Sequence, residues 1–210
     1  MSGITGLLLA LPFIGAAALT AVIVLIIVYV IRGRKKPDDA AARAAGRAGE
    51  KYASDAIRSV LREGDQLFTN VSVSYKNKVT ELDNVVVNRN GVFIIEVKYY
   101  SGRLAGDEDD FEWSKYHTSR GGNTYVKTVK NPIKQVSRQV YILAGYLKRH
   151  GVGAWVDGYA IILGSKSPVK SGYVLKDTDE LDKAVHTPGK KPLDRASVES
   201  VCRLLKYSIS

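Results

Sequence analysis

Apolar and polar positions divide the chain into two regimes. Residues Ile4 to Ile31 carry no charged side chain and read ITGLLLALPFIGAAALTAVIVLIIVYVI, longer than the roughly 20 apolar residues that a bilayer crossing needs. A transmembrane helix is expected there. From Pro37 onward the apolar residues recur instead with short periods. Ala53, Ile57, Val60 and Leu61 fall at helical spacing and predict a helix from about Ala40 to Arg62. A strand follows near Leu67 to Tyr75. Val85 to Val87 and Val92 to Ile95 are β-branched runs around Asn88-Arg89-Asn90-Gly91, which predicts a β-hairpin. Residues Gly102 to about Thr128 read as a loop. Asn131, with Pro132 after it, is an expected N-cap for a helix running through Val136, Val140, Leu143 and Leu147 towards His150-Gly151. A buried strand is expected at Tyr159 to Leu163, weaker strand signals between Pro168 and Pro192 include Tyr173-Val174-Leu175, and a last helix spans about Asp194 to Tyr207.

The hairpin carries the chemistry. A two-residue loop at Arg89-Asn90 sets Asp83 opposite Glu96, and a loop at Asn90-Gly91 sets it opposite Lys98. In either register Asp83 shares a face with Glu96 and Lys98, because opposed residues point the same way and side chains alternate along a strand. Val85, Val87, Val92 and Ile94 on that face, and Leu82, Val86, Phe93, Ile95 and Val97 on the reverse, are all apolar, so charges at the hairpin's end are expected to be partly desolvated. Two close carboxylates repel unless a proton or a cation neutralises them. A hard divalent ion such as Mg²⁺ takes one or two carboxylates and completes its shell with water and phosphate oxygens. The competing structural reading is a strand-end salt bridge from Lys98 to an acid.

These residues resemble the nuclease-related domain (NERD), a branch of the PD-(D/E)XK nuclease superfamily, over roughly Gly46 to Leu163. The resemblance rests on Gly46-Arg47-Ala48-Gly49-Glu50, Thr80-Glu81-Leu82-Asp83, Gly91-Val92-Phe93-Ile94-Ile95-Glu96-Val97-Lys98, Ser101-Gly102, Trp113 and Asn131-Pro132-Ile133-Lys134-Gln135, in that order. It implies an α/β fold with a restriction-endonuclease-like αβββαβ core, a mixed sheet flanked by helices. It also implies that Asp83 and Glu96 bind Mg²⁺ or Mn²⁺, that Lys98 assists the attacking water or the transition state, that Glu50 completes the acidic site and that Gln135 supports it. The implied activity is metal-dependent cleavage of DNA, or of RNA. Glu50 also lies on the inward stripe of the first predicted helix, where a helix-dipole or capping role competes with a site role.

Charge and composition narrow the setting. The formal net charge of +10 lies wholly outside the apolar segment. Arg32-Gly33-Arg34-Lys35-Lys36 follows that segment directly, and no basic residue precedes it. The positive-inside rule therefore puts the N-terminus outside and the main domain in the cytoplasm, and the cluster favours anionic lipid headgroups. Residues 1–36 read as an anchor and 37–210 as one domain. Lys130, Lys134 and Arg138 recur every four residues at the front of the Asn131 helix, with Lys127 just before, a cationic stripe suited to phosphates. Tyr99, Tyr100, Tyr116 and Tyr125 offer stacking surfaces for unpaired bases. A solvated helix face with ordinary tyrosines is the competing reading, and a catalytically idle fold that tethers nucleic acid or a protein partner to the membrane competes with the enzyme.

Other chemistries find little support. Cys202 is the one cysteine, so no internal disulfide forms, and it sits on an apolar helical stripe with Val198, Val201 and Leu205. Asp107-Glu108-Asp109-Asp110 lacks the spacing of an EF-hand and reads as a solvated loop. His117, His150 and His186 show no metal-ligand pairing. Gly164-Ser165-Lys166-Ser167 is half a phosphate loop with Tyr159 where the first glycine belongs, which argues against an NTPase.

Overall fold

The computed structural model describes residues 39–119, 121–189 and 191–208. The chain divides into two units, residues 1–43 and 44–210, and the second carries the architecture below. The expected transmembrane segment and the basic cluster at Arg32 to Lys36 lie outside the described residues. Among the described residues no helix is long and apolar enough to cross a membrane.

The order of elements is α1 (Asp39–Val60), β1 (Gln66–Tyr75), β2 (Lys78–Asn88), β3 (Gly91–Tyr99), β4 (Arg103–Ala105), β5 (Glu112–Thr118), β6 (Thr124–Lys130), α2 (Pro132–Arg149), β7 (Val156–Leu163), β8 (Val174–Leu175), α3 (Thr178–His186) and α4 (Arg195–Lys206). Five strands form a mixed sheet in the order β1-β2-β3-β7-β8. β1, β2 and β3 are antiparallel neighbours, whereas β3 pairs with β7 in parallel, as two strands joined through a helix can. α2 supplies that crossover.

Helices cover both faces. Ile142, Leu143 and Leu147 of α2 and Val201 and Leu205 of α4 pack with Val85, Val87, Val92 and Ile94. On the other face Ile57 of α1 and Leu181 and Val185 of α3 meet Val86, Phe93 and Ile95. Each fully buried aliphatic side chain contributes about 1.5–3 kcal/mol, so both strand faces are committed to burial. α2 lies close to its strands because Gly158 and Gly145 permit it. A Cβ at Gly158 would stand 2.4 Å from Val136 Cγ1, and one at Gly145 would stand 2.3 Å from Tyr75 Cδ1.

The β2–β3 hairpin resolves the open register. Asn88 pairs with Gly91 and Asn84 with Ile95, so the loop is Arg89-Asn90 and Asp83 comes level with Glu96. Asn88 holds this turn, its Oδ1 accepting from the Asn90 N–H at 2.9 Å and its Nδ2 donating to the Val185 carbonyl at 3.0 Å. The β1–β2 turn is different in kind, with Lys76 and Asn77 both at positive φ, as a type I′ hairpin requires.

Three expectations need correction. Leu82 does not lie on the reverse face; it joins Val85 and Val87 in the α2-side core. The alternation is broken at Asp83: Thr69 pairs with Asn84 and Val71 with Leu82, while Asn70 between them adopts a positive φ of 54°. The segment after Gly102 is not a loop but a three-stranded antiparallel sheet, β4-β5-β6. Its short strands are polar on the outside, and it is anchored by Trp113, fully buried with Tyr100, Leu104, Ile133 and Val174. Between Pro168 and Pro192 the strand signal at Tyr173-Val174-Leu175 is met by the two-residue β8, but the residues after it form an unexpected helix, α3, capped by Asp177 through the Glu180 N–H at 2.8 Å.

Candidate active site

Asp83, Glu96 and Lys98 converge where β2 and β3 run out of regular pairing. Glu96 is completely buried and is held from three directions. Gln135 Nε2 donates to its Oε1 at 2.6 Å, Gln139 Nε2 donates to its Oε2 at 2.6 Å, and Lys98 Nζ forms an ion pair with Oε1. Three donors around a carboxylate with room for about four leave acceptor capacity on Oε2. Lys98 follows two positions after Glu96 and therefore emerges on the same face, with its stem partly covered. α2 faces this end of β3, which puts Gln135 and Gln139, four residues apart, on a single helical stripe.

Asp83 lies against this group. Its carboxylate accepts a long 3.4 Å hydrogen bond from the Val97 N–H. Burial pushes its carboxyl up to about 6, helped by repulsion from Glu96; Lys98 and the Val97 N–H act in the opposite sense without prevailing. Tyr100, just beyond Lys98, donates from its phenol to the Lys130 carbonyl at 3.1 Å, and burial together with Glu96 pushes that phenol up to about 12. Tyr100 is therefore a buried tie between β3 and β6 and not a stacking surface. Tyr116 is engaged by Arg103, whose guanidinium lies 4.2 Å from its ring centre, while Tyr99 and Tyr125 are exposed.

The donor set fits a hard divalent cation. The site holds two carboxylates, the Lys98 ammonium and two uncharged amides, and among the described residues no group of three or more His, Cys, Asp or Glu side chains is placed to hold a metal, here or elsewhere. Burial, and then the neighbouring acid, make the ionised Asp83 carboxylate costly, and a cation held between the two carboxylates would offset that cost. The side chain of Glu50 lies outside the described residues. A Cβ added at its neighbour Gly49 would stand 3.5 Å from Tyr99 Cβ and Leu163 Cδ1, so α1 lies at the end of β3 that carries Glu96 and Lys98.

A groove of about 1210 Å³ reaches the site through Lys98 and Gln135, with Lys130, Lys134 and Arg138 along it, while Asp83 and Glu96 lie behind its lining. The cationic stripe is thus brought together, with two differences from the expected helix face. Lys130 belongs to the end of strand β6 and not to the helix, and Lys127 is not among the groove's residues. Lys134 is also engaged by Asp109 at 2.7 Å, which holds that aspartate below the usual carboxylate range. The acidic run is more than a solvated loop: buried Asn131 donates from Nδ2 to the carbonyls of Glu108 and Asp110 at 3.0 and 2.8 Å while its Oδ1 caps Ile133 N–H at 2.9 Å. One asparagine therefore fixes both the helix start and the groove's rim.

Gln139 is the residue that pattern reading missed. Its Nε2 reaches both Glu96 and, at 3.1 Å, the Glu81 carbonyl, so the amide orientation is fixed by two acceptors. Its Oε1 is buried without a partner among the described residues. The available signal was a glutamine four residues after Gln135, flanked by Val136, Val140 and Leu143 on an otherwise apolar stripe. His186 is likewise structural, its ring between Asp65 at 2.9 Å and Asp182 at 2.8 Å, clasping α3 to the turn before β1.

Comparison with curated proteins and with solved structures found no match. A family model described as the nuclease-related domain matches residues 45–163, more than half of the chain and the span that contains Asp83, Glu96, Lys98, Gln135 and Gln139. The chain belongs to the nuclease-related domain family.

Proposed function

We propose that the protein is a membrane-anchored nuclease that hydrolyses phosphodiester bonds of DNA, or of RNA, with Mg²⁺ or Mn²⁺, on a restriction-endonuclease-like αβββαβ core. The observation that carries this reading is the meeting of Asp83, Glu96 and Lys98 beneath a groove lined by Lys130, Lys134 and Arg138. Asp83 and Glu96 would hold the ion, and Glu50 would extend the acidic shell. The bound ion supplies Lewis-acid polarisation of the phosphoryl group and a more acidic water. Gln135 and Gln139 keep the Glu96 carboxylate in one orientation, so that it spends no reorganisation during the reaction. Lys98 places a positive charge beside the reacting phosphate, where negative charge develops, or orients the attacking water. Lys130, Lys134 and Arg138 take backbone phosphates along the groove.

The N-terminal apolar segment would cross the membrane with the domain on the cytoplasmic side, Arg32 to Lys36 meeting anionic headgroups. One observation favours a second reading. Glu96 already has Lys98, Gln135 and Gln139 as partners, an arrangement that is also stable in a catalytically idle fold that tethers nucleic acid or a protein partner to the membrane.

The test is cleavage of DNA by the full chain in neutral detergent. Activity is expected with Mg²⁺ or Mn²⁺, abolished by chelator, and lost in Asp83→Ala and Glu96→Ala variants that retain native circular dichroism. Cleavage that survives both substitutions overturns the assignment. A wild type that never cuts yet binds DNA in a salt-sensitive manner establishes the tether. External protease on intact cells is expected to spare the domain, and digestion there overturns the orientation.

A further inference from the structure

A second cleft, of about 800 Å³, lies at the other end of the sheet, between the Arg89-Asn90 hairpin loop, the turn before β1 and α4. Glu96 is five residues along β3 from Gly91, roughly 17 Å at the rise of an extended strand, so this cleft is separate from the carboxylate site. Its cations are Arg89, Arg195, Arg203 and Lys206, and Val198 and the half-buried Cys202 supply apolar surface. Arg195 is committed to Glu199, its Nε donating at 2.9 Å. Arg89, Arg203 and Lys206 have no carboxylate within 4 Å among the described residues. Three uncompensated cations sharing one concavity repel one another, and an anion placed among them removes that repulsion while gaining charge-assisted hydrogen bonds. The volume falls within the range of small-molecule sites, and an apolar wall beside a cationic rim is the recognition pattern for a charged head carrying an organic body.

We propose that this cleft binds a phosphate ester, its phosphate among Arg89, Arg203 and Lys206 and its organic part against Val198 and Cys202. Such an ester is available from two sources, a free nucleotide or an anionic phospholipid headgroup. The site does not depend on the nuclease reading, since none of its residues lies at Asp83, Glu96 or Lys98.

Cys202 makes the test direct, because the chain has one cysteine and it lines the cleft. The full chain in neutral detergent is alkylated with a maleimide at mildly alkaline pH, with adenosine monophosphate, with adenosine diphosphate, with dihexanoyl phosphatidic acid, with dihexanoyl phosphatidylcholine, or with sulfate at matched ionic strength. At least one phosphate monoester or diphosphate is expected to slow alkylation by about threefold or more where phosphatidylcholine and sulfate do not. Protection by nucleotides alone identifies a soluble ligand, and protection by phosphatidic acid alone identifies a headgroup. The paired Arg203→Glu and Lys206→Glu substitutions are expected to raise the ligand concentration needed for half-maximal protection by about tenfold or more, the loss of two charge-assisted contacts. Arg89→Gln, at an exposed hairpin tip whose substitution leaves the core untouched, is expected to weaken it independently. DNA cleavage and circular dichroism are expected to be unchanged in both. The proposal is overturned if neither the nucleotides nor phosphatidic acid protect beyond sulfate and phosphatidylcholine, or if protection persists when these charges are removed.

Discussion

Replacing Asp83 by Asn is expected to make the metal-free protein more stable at neutral pH and no different in acid. The fold raises the Asp83 carboxyl from its ordinary 3.8 to about 6, first by burial and then by Glu96. The native state therefore binds that proton more tightly than the unfolded chain does, and the associated stability is complete below pH about 4. It is lost as pH rises through about 6. Roughly two units of difference correspond to a ceiling of about 3 kcal/mol, which wild type forgoes at pH 7 and above in the presence of chelator. Asn resembles the protonated acid in shape and charge and escapes the cost. For a domain of this size the ceiling is worth roughly 6–12 °C in melting temperature. The assay is thermal unfolding of the full chain in chelator, followed by tryptophan emission, at a series of pH values from about 4 to 8 for wild type and variant. Saturating Mg²⁺ should then raise wild type and leave Asp83→Asn little changed. An Asn variant less stable than wild type at pH 7.5, or a difference that does not shrink as pH falls from about 6 to 4, would refute the reasoning.

Other substitutions probe separate parts of the argument. Gln139→Leu removes the donors to Glu96 Oε2 and the Glu81 carbonyl, and is expected to cost about 1–3 kcal/mol in denaturant unfolding and to lower cleavage more than it raises the DNA concentration needed. Gly158→Ala drives a methyl to 2.4 Å from Val136 and 2.8 Å from Val140, so α2 must back away from β7; a loss of about 1–3 kcal/mol with reduced activity is expected from melting and cleavage measured side by side. Trp113→Ala empties the anchor of the small sheet, and a loss of about 3–5 kcal/mol with early proteolysis between residues 103 and 130 would show it. Lys134→Ala and Arg138→Ala should each weaken DNA binding and flatten its salt dependence, read by titration at several salt concentrations.

Local chemistry made much of this protein legible in one dimension. The turn residues Asn88 to Gly91 and the β-branched runs beside them specify a hairpin whatever surrounds it, and strand alternation then sets Glu96 and Lys98 on one face. Asn131-Pro132 specifies a helix start because capping involves only neighbouring backbone groups, and Gln135 follows one turn later. Tertiary structure decided the rest. The sequence left open whether the loop was Arg89-Asn90 or Asn90-Gly91; in the fold it is Arg89-Asn90, and Asn88 beside it is held by the Val185 carbonyl, almost a hundred residues away. Leu82 changed face because Asn70 on the neighbouring strand turned to positive φ, a cross-strand event with no trace in the β2 pattern. The small sheet of β4 to β6 is too polar for periodicity to reveal and exists because Trp113 and Asn131 fasten it. Gln139 reads as one polar residue on an apolar stripe until β3 brings Glu96 to within 2.6 Å of it. Sequence determines what each segment does with its own hydrogen bonds and apolar face; only folding decides which buried charges must share a proton, an amide or an ion, because that energy depends on distances between segments.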